Sequence, residues 1–445
     1  MNNVILDGIN LISEYSKRAG ADQFEALFYD NLSVDTSIRN QNLESIEQNK
    51  SCAFGIRILI GKKQAFTSSS DLEPSAIKIA IDRAIEMAKV TPDDDYIGLP
   101  DRSELATDIT ELDLFDDNIP SVKTMISDAL EIENTALSIA GITNSEGASS
   151  SYSTSKIYLV NSLGTNLECR STSFSKSISS IAGEGANMEH DYDYSVARNY
   201  NKLKSNDAIG KLAAQRAISK LNPKKIKTTK IAIILEPRIA SRFLGSLASL
   251  TNGQAFVLGT SFLKDYLGKK IFNDNISVID DPHIIGGLGS CPFDSEGVKN
   301  HKSAIIKNGV FETCMLDTYH ARKLGKKTTG HARRGLSSPT HPGSSNFYLE
   351  NGTSNLNDLI KSVDRVIVIT DAFSSNLNPL TGDLSQGFGG HYYEHGELIH
   401  PVSELTFAGN LLDLYQNLIP ANDLKFESTI NSPSLFIPNV TVAGK

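Results

Sequence analysis

FEALFYDNLSVDTSIRNQNLESIEQNKSCAFGIRILIGKKQAFTSSS, at residues 24–70, alternates segments of strand composition with turn residues. Aromatic and β-branched side chains recur in these segments, as they do in β-strands. The interruptions carry turn-forming residues, among them Asn40, Asn42, Gly61 and Lys62. Because short turns join antiparallel neighbours, residues 24–70 are predicted to form an antiparallel meander.

Helical patterns flank this meander. Before it, apolar residues recur at helical spacing until Gly20 ends the pattern: Ile5, Ile9, Ile12 and Tyr15. After it, Pro74 suits the first turn of a second helix, whose buried stripe would hold Ile77, Ile81, Ala84, Ile85 and Ala88. Further helical patterns cover residues 122–139 and 207–221, and the residues between them, 142–198, have strand composition.

The predicted fold class is α+β. An amino-terminal α/β region, residues 1–222, would hold antiparallel sheets with flanking helices and would divide into subregions 1–92 and 118–222. A lysine-rich linker, residues 223–230, would lead to a β-rich carboxy-terminal domain, residues 231–445.

Composition and charge restrict the function classes. The 445 residues are 40% hydrophobic and 21% charged, which is typical of a soluble globular protein. A formal net charge of −9 disfavours nonspecific binding to nucleic acid or to an anionic membrane. We expect a cytoplasmic protein, because the sequence has neither an apolar run of the ~20 residues that a membrane span needs nor a secretory signal. The cysteines form no C-x-x-C zinc or redox motif: Cys52, Cys169, Cys291 and Cys314.

Several longer phrases occur in order along the chain. They are N-x-x-L-E-S at 40–45, GQAFVLGTSFLKDYLGKKI at 253–271, IDDPHIIGGLGSCPFDSEGV at 279–298, TYHARKLGKKTTGHARR at 318–334 and LTGDLSQGFGGHYYEHGELIHPVSELTFAGNLLDL at 380–414. Together they resemble the TldD/PmbA peptidase family over nearly the whole length. The resemblance implies an amino-terminal α/β region and a β-rich carboxy-terminal domain.

In the TldD branch of that family, a His-Glu-x-x-x-His motif on a helix and a later Cys form a metal site. Two imidazoles and a thiolate hold the metal, and the Glu acts as general base on its bound water. The resemblance aligns the motif with a helix predicted from Pro237 to about Leu250, with Gly245 at the first His, Ser246 at the Glu and Leu250 at the second His. The later Cys is missing from FESTINSP at 426–433. The chain therefore resembles the TldE/PmbA branch, which pairs with TldD, and we expect no catalytic residue, metal or cofactor in it.

Three histidines offer an alternative metal site: His391, His395 and His400, which lie with Glu394 and Glu397 in HYYEHGELIH. The i to i+4 spacing of His391 and His395 would suit a zinc-binding helix. The neighbouring glycines and the short EHGE segment favour a β-hairpin instead, with His395 on an exposed turn.

His331, Arg333 and Arg334 form a candidate substrate site in the segment GHARR. Two arginines beside a glycine would clamp a peptide carboxylate through forked hydrogen bonds. The alternative is an interdomain ion pair, and the sequence supplies no partner that decides between the two.

The resemblance predicts a non-catalytic subunit of a TldD/TldE-type cytoplasmic metallopeptidase that processes or degrades small or unfolded peptides. Its expected partners are a TldD-like catalytic subunit, which would carry the metal, peptide substrates, and further copies of itself when it is alone. Two alternatives stay open. One is a self-sufficient metallopeptidase that uses His391, His400 or His331, and the other is a regulatory binding protein without proteolysis, since the branch is described as a modulator of DNA gyrase.

Overall fold

The computed structural model describes residues 2–444, and six of its strands form one antiparallel sheet near the amino terminus. The elements of this part are α1 Asn2–Arg18, β1 Gln23–Arg39, β2 Asn42–Ile60, β3 Lys63–Ser69, α2 Pro74–Val90, α3 Val122–Leu137, β4 Ile142–Asn161, β5 Asn166–Ala182, β6 Glu189–Ala197 and α4 Asn206–Ser219. The strand order is β3-β2-β1-β4-β5-β6. The predicted subregions 1–92 and 118–222 therefore share one sheet, through the pairing of β1 with β4.

The predicted antiparallel meander is confirmed and consists of β1, β2 and β3. Strand β1 runs unbroken through 17 residues and pairs with β2 along its length. Asn40 and Gln41 form the turn between them, with φ values of 52° and 60°. Positive φ at both central residues is what a tight two-residue hairpin turn of this hand requires.

The two faces of strand β1 carry different neighbours. Phe24, Ala26 and Phe28 pack with residues of α1 and α2 in one apolar cluster. Successive side chains of a strand point to opposite faces, and Leu27 lies in another cluster, together with Phe293 of the carboxy-terminal half. Helices α1 and α2 thus cover one face of β1, while the carboxy-terminal half packs against the other.

The carboxy-terminal half is β-rich, as predicted, and part of it closes into a barrel. Its elements are β7 Thr229–Leu235, α5 Pro237–Leu250, α6 Gly253–Leu258, β8 Val278–Asp280, β9 Ser303–Lys307, β10 Val310–Phe311, α7 Thr318–Lys323, β11 Ala332–Arg333, β12 His341–Pro342, β13 Phe347–Leu349, α8 Leu356–Lys361, β14 Arg365–Leu377, β15 Asp383–Glu394, β16 Glu397–Asn410, α9 Leu411–Asn417, β17 Ile419–Pro420, β18 Ile430–Asn431 and β19 Leu435–Ala443. One sheet has the order β16-β15-β14-β7-β19-β17, and β16 also pairs with β19, which closes the ring. A second sheet has the order β10-β9-β8-β13-β18, and β11 pairs with β12. The α+β fold class is confirmed.

Strand β7 and helix α5 position the candidate site. Residues 231–235 of β7 are all buried. Pro237 opens α5, where its missing N–H and fixed φ suit the first helical turn. The observed bounds of α5 are those predicted, whereas β7 begins at Thr229, inside the stretch predicted as a linker. The domain limits at residues 222 and 231 stay predictions.

Membrane insertion through a helix was disfavoured by the sequence. Across residues 2–444, none of the helices combines the length and the apolar character needed to span a bilayer.

Candidate functional site

Helix α5 has two unlike faces. Its apolar side is buried in the core of the carboxy-terminal half through Ile239, Phe243, Leu244, Leu247 and Leu250. Its other side lines a cavity of about 640 Å³ with Arg238, Ser241, Arg242 and Gly245. This volume lies within the range of small-ligand sites.

The second wall of the cavity is the loop at residues 423–432. The backbone N of Ser432 donates a 3.1 Å hydrogen bond to Ser241 Oγ, which ties the loop to α5. Gly245 faces Ile430, since a Cβ added to this glycine would lie 3.6 Å from Ile430 Cδ1. The two segments that the resemblance singled out, the motif helix and FESTINSP, therefore meet across the cavity.

The third wall comes from the amino-terminal half. Strand β6 contributes Tyr192 and Tyr194, whose rings stack with their centroids 6.2 Å apart. Asp191 and Asp193 alternate with these tyrosines and are buried, because side chains of a strand alternate between its faces. The cavity thus lies between the two halves of the chain.

Ion pairs join the three walls. Arg238 of α5 pairs with Asp191 of β6, with 2.8 Å between Nη1 and Oδ1. Lys204 pairs with Asp193 at 3.4 Å and with Glu427 of the loop at 3.0 Å. Burial by itself would raise the pKa of Asp191, but the hydrogen bond and charge of Arg238 hold it below its usual value. These pairs hold β6, α5 and loop 423–432 relative to one another.

The three clustered histidines lie on a hairpin, as the sequence indicated. Strands β15 and β16 are joined by His395 and Gly396, with φ values of 50° and 82°, and His395 is exposed. His391 Nε2 lies 3.0 Å from the carbonyl oxygen of the last residue of α4. His400 stacks on Tyr392, with ring centroids 5.3 Å apart. Within residues 2–444, no group of three or more His, Cys, Asp or Glu side chains is placed to hold a metal ion.

The GHARR segment is used in internal contacts. His331 Nε2 lies 3.2 Å from Asp280 Oδ2, and both side chains are buried. Arg334 forms an ion pair with Glu25 of β1, and both side chains are fully buried. This pair joins the two halves of the chain, which is the second of the two alternatives considered for the segment. Binding of a peptide carboxylate by His331, Arg333 and Arg334 stays a prediction.

Three family models match the chain in order. They are described as PmbA/TldA metallopeptidase domain 1, central domain and C-terminal domain, and they match residues 24–88, 115–221 and 228–444. A metalloprotease PmbA homolog from Haemophilus influenzae is 34% identical over 441 residues, which are 98% of this chain and 95% of that protein. The chain belongs to the PmbA/TldD metallopeptidase family. The resemblance found in the sequence is thereby confirmed.

Other family members match the chain over similar lengths. Metalloprotease PmbA of Escherichia coli O157:H7 is 34% identical over 415 residues, which are 93% of this chain and 90% of that protein. A crystal structure from Bacteroides thetaiotaomicron, described as a candidate modulator of DNA gyrase, has a TM-score of 0.91 at 28% identity and covers 99% of this chain and 98% of that one. TldE from Thermococcus kodakarensis has a TM-score of 0.87 at 21% identity, with 98% and 100% covered, and shows the same fold.

The structure places the three residues that the resemblance aligns with the metal motif in different surroundings. Gly245 lines the cavity without a side chain, Ser246 is half-buried, and Leu250 is packed in the core. Glycine and leucine side chains offer no lone pair to a metal ion. Arg242 adds positive charge on the same face of α5, which opposes the approach of a cation.

Sequence reasoning missed most of the residues that build the cavity. Tyr192, Tyr194 and Lys204 come from the amino-terminal half, far from α5 in the chain. One signal was available, because DYDYS at residues 191–195 places acidic residues at every second position. That alternation predicts a strand face on which buried carboxylates need cationic partners.

Proposed function

We propose that this chain is the non-catalytic subunit of a TldD/TldE-type metallopeptidase that acts on small or unfolded peptides in the cytoplasm. A TldD-like partner would hold the metal ion and the general base. This chain would supply part of the chamber that a peptide enters. Membership of a metallopeptidase family supports the reaction class.

The observation that carries the proposal is the meeting of Gly245 and Ile430 on the cavity wall. The resemblance puts a metal-binding His of the catalytic branch at the first position, and its later Cys within the segment that holds the second. Gly245 has no side chain, FESTINSP contains no Cys, and Leu250, at the second His position, belongs to the core. Because these residues offer no ligand to a metal ion, they support a subunit that depends on its partner for the metal.

A self-sufficient peptidase built on His391, His400 or His331 would need these imidazoles to leave their present neighbours. His331 is buried, with Nδ1 2.8 Å from Thr329 Oγ1 and Nε2 3.2 Å from Asp280 Oδ2. The regulatory alternative differs in another respect, because it requires binding to a target without any peptidase partner. Co-purification with a TldD-like chain and a hydrolysis assay together separate the three hypotheses.

Co-expression with a TldD-like chain from the same genome is the test. We expect a stable complex on affinity and size-exclusion chromatography, and peptide hydrolysis only in fractions that contain both chains. Replacing the Glu of the partner's His-Glu-x-x-x-His motif with Gln should abolish hydrolysis while the complex persists, because the general base is removed.

Arg83→Gln in this chain is the matched control, because Arg83 is an exposed residue of α2 and lies outside the cavity. Hydrolysis by the complex should therefore be unchanged. Hydrolysis by the lone chain, or failure to bind any TldD-like chain, would contradict the proposal.

A further inference from the structure

Two cations on the cavity wall are not used by its ion pairs. Arg242 of α5 and Lys425 of loop 423–432 both line the cavity and are exposed. Within residues 2–444, neither has a carboxylate at ion-pair distance, in contrast to Arg238 and Lys204. A ligand that enters the cavity therefore meets two available positive charges.

The carboxylates that line the cavity already have partners. Glu236 pairs with Arg238 at 2.6 Å, and Glu427 pairs with Lys204 at 3.0 Å. Asp423 accepts two hydrogen bonds of 2.7 Å from the backbone N and the hydroxyl of the serine that precedes β19. Glu236 and Glu427 are thus matched by cations, whereas Asp423, whose donors are neutral, keeps its negative charge. The two unpaired cations, Arg242 and Lys425, outnumber this one carboxylate, so an anionic group is favoured over a cationic one.

Arg242 is held in position for such a contact. Its Nη1 donates a 2.9 Å hydrogen bond to the carbonyl oxygen of Ala372 on β14, which is its one hydrogen bond in the part of the chain that the structure describes. The N–H groups on Nη2 and Nε remain available to a ligand. The planar guanidinium suits the two-oxygen geometry of a carboxylate.

The cavity also has surface for a side chain beside these charges. The stacked rings of Tyr192 and Tyr194 form one wall, and Leu212 and Ile430 also contribute to the lining. Tyrosine presents a large, rigid surface at low entropic cost. An aromatic wall next to a carboxylate-binding group suits the end of a peptide better than it suits a bare inorganic anion.

We propose that this cavity binds the free carboxyl terminus of a peptide, and that Arg242 and Lys425 recognise its α-carboxylate. The inference rests on the proposed function and names the substrate class of the same site: peptides with a free carboxyl end, held on this subunit while the partner carries out hydrolysis. Binding in this cavity involves no covalent step.

Two peptides of one sequence, one ending in a free acid and the other in a carboxamide, provide the test. Each carries a fluorophore at its amino terminus, and fluorescence anisotropy measures its binding to the full chain, alone and in complex with the partner. We expect the free acid to bind about tenfold more tightly, the factor that corresponds to one charge-assisted hydrogen bond at a partly exposed site. High salt should reduce this preference, because exposed charges are screened.

The double variant Arg242→Gln, Lys425→Gln should bind both peptides with the affinity that the wild-type chain has for the amide. The control is Arg83→Gln, Lys123→Gln, which removes two exposed cations outside the cavity and should keep the preference. Equal binding of acid and amide by the wild-type chain, a preference that survives in the double variant, or no binding of either peptide to chain or complex would overturn the inference.

The proposed function is judged by separate readouts, namely partner binding and hydrolysis. A chain that forms an active complex but does not distinguish acid from amide refutes only the carboxylate site. A chain that prefers the acid but binds no catalytic subunit refutes only the proposed function.

Discussion

Replacing Arg334 with alanine is expected to lower the free energy of unfolding by about 3–5 kcal/mol. Arg334 pairs with Glu25 of β1, and neither side chain is exposed to solvent. Burial lowers the pKa of Arg334 to about 10, so its guanidinium is still charged at neutral pH. Its removal would leave the Glu25 carboxylate buried without a counter-charge, which is costly in a protein interior.

Denaturant unfolding followed by circular dichroism measures this loss. Arg18→Ala is the matched control, because Arg18 pairs with Glu14 at 3.5 Å where both side chains are 72% exposed, and we expect its midpoint to be unchanged. Adding Glu25→Ala to Arg334→Ala should recover part of the stability, since the uncompensated charge is removed as well. If the denaturant midpoint of Arg334→Ala equalled that of the wild type, the buried Arg334–Glu25 pair would not stabilise the packing of the two halves against each other.

Asp191→Asn is expected to lower the free energy of unfolding by about 3 kcal/mol at neutral pH. Asp191 is buried and lies between Arg238 at 2.8 Å and Lys220 at 3.0 Å. Burial would raise the pKa of Asp191, but the hydrogen bond and charge of Arg238, with the charge of Lys220, hold it below its usual value. A carboxyl group with a lowered pKa contributes stability above its unfolded pKa of about 3.9, and this contribution is lost as the pH falls through the lowered value.

The gap in stability between the wild type and Asp191→Asn should therefore be largest at neutral pH and should narrow in acid. Unfolding curves for both proteins from about pH 7 to about pH 3 measure it. Asp207→Asn serves as the control, because the pair of Asp207 with Lys211 is 55% exposed on both sides. A gap that stays constant through the acid range would mean that the charge of Asp191 is not its source.

Local sequence predicts those elements whose own residues mark where they begin, end or turn. Helix α5 is one, since Pro237 marks its start and its apolar stripe lies on one side. The hairpin at His395 and Gly396 is another, because the turn chemistry sits in two residues. Strand β1 could not be predicted in this way, because Asp30 and Asn31 are typical turn residues. Pairing with β2 on one side and with β4 on the other keeps the strand continuous through them. Tertiary pairing overrides local propensity there.

The candidate site was predictable only in part, because distant segments build it. The resemblance pointed to Gly245 and to FESTINSP, but their contact across a cavity depends on how α5 packs beside loop 423–432. The ion-pair partner of Arg334 could not be predicted from the sequence either, since Glu25 lies 309 positions away in the chain. Nothing within GHARR could identify it, and for that reason the sequence left the role of the segment open.

The metal content of the purified chain, measured by inductively coupled plasma mass spectrometry alone and in complex with a TldD-like partner, tests the central claim most directly. We predict no stoichiometric transition metal on the lone chain, and one ion per complex that is lost when a motif His of the partner is replaced. A stoichiometric metal on the lone chain that disappears with His391→Ala, His400→Ala or His331→Ala would contradict the assignment of this chain as the non-catalytic subunit.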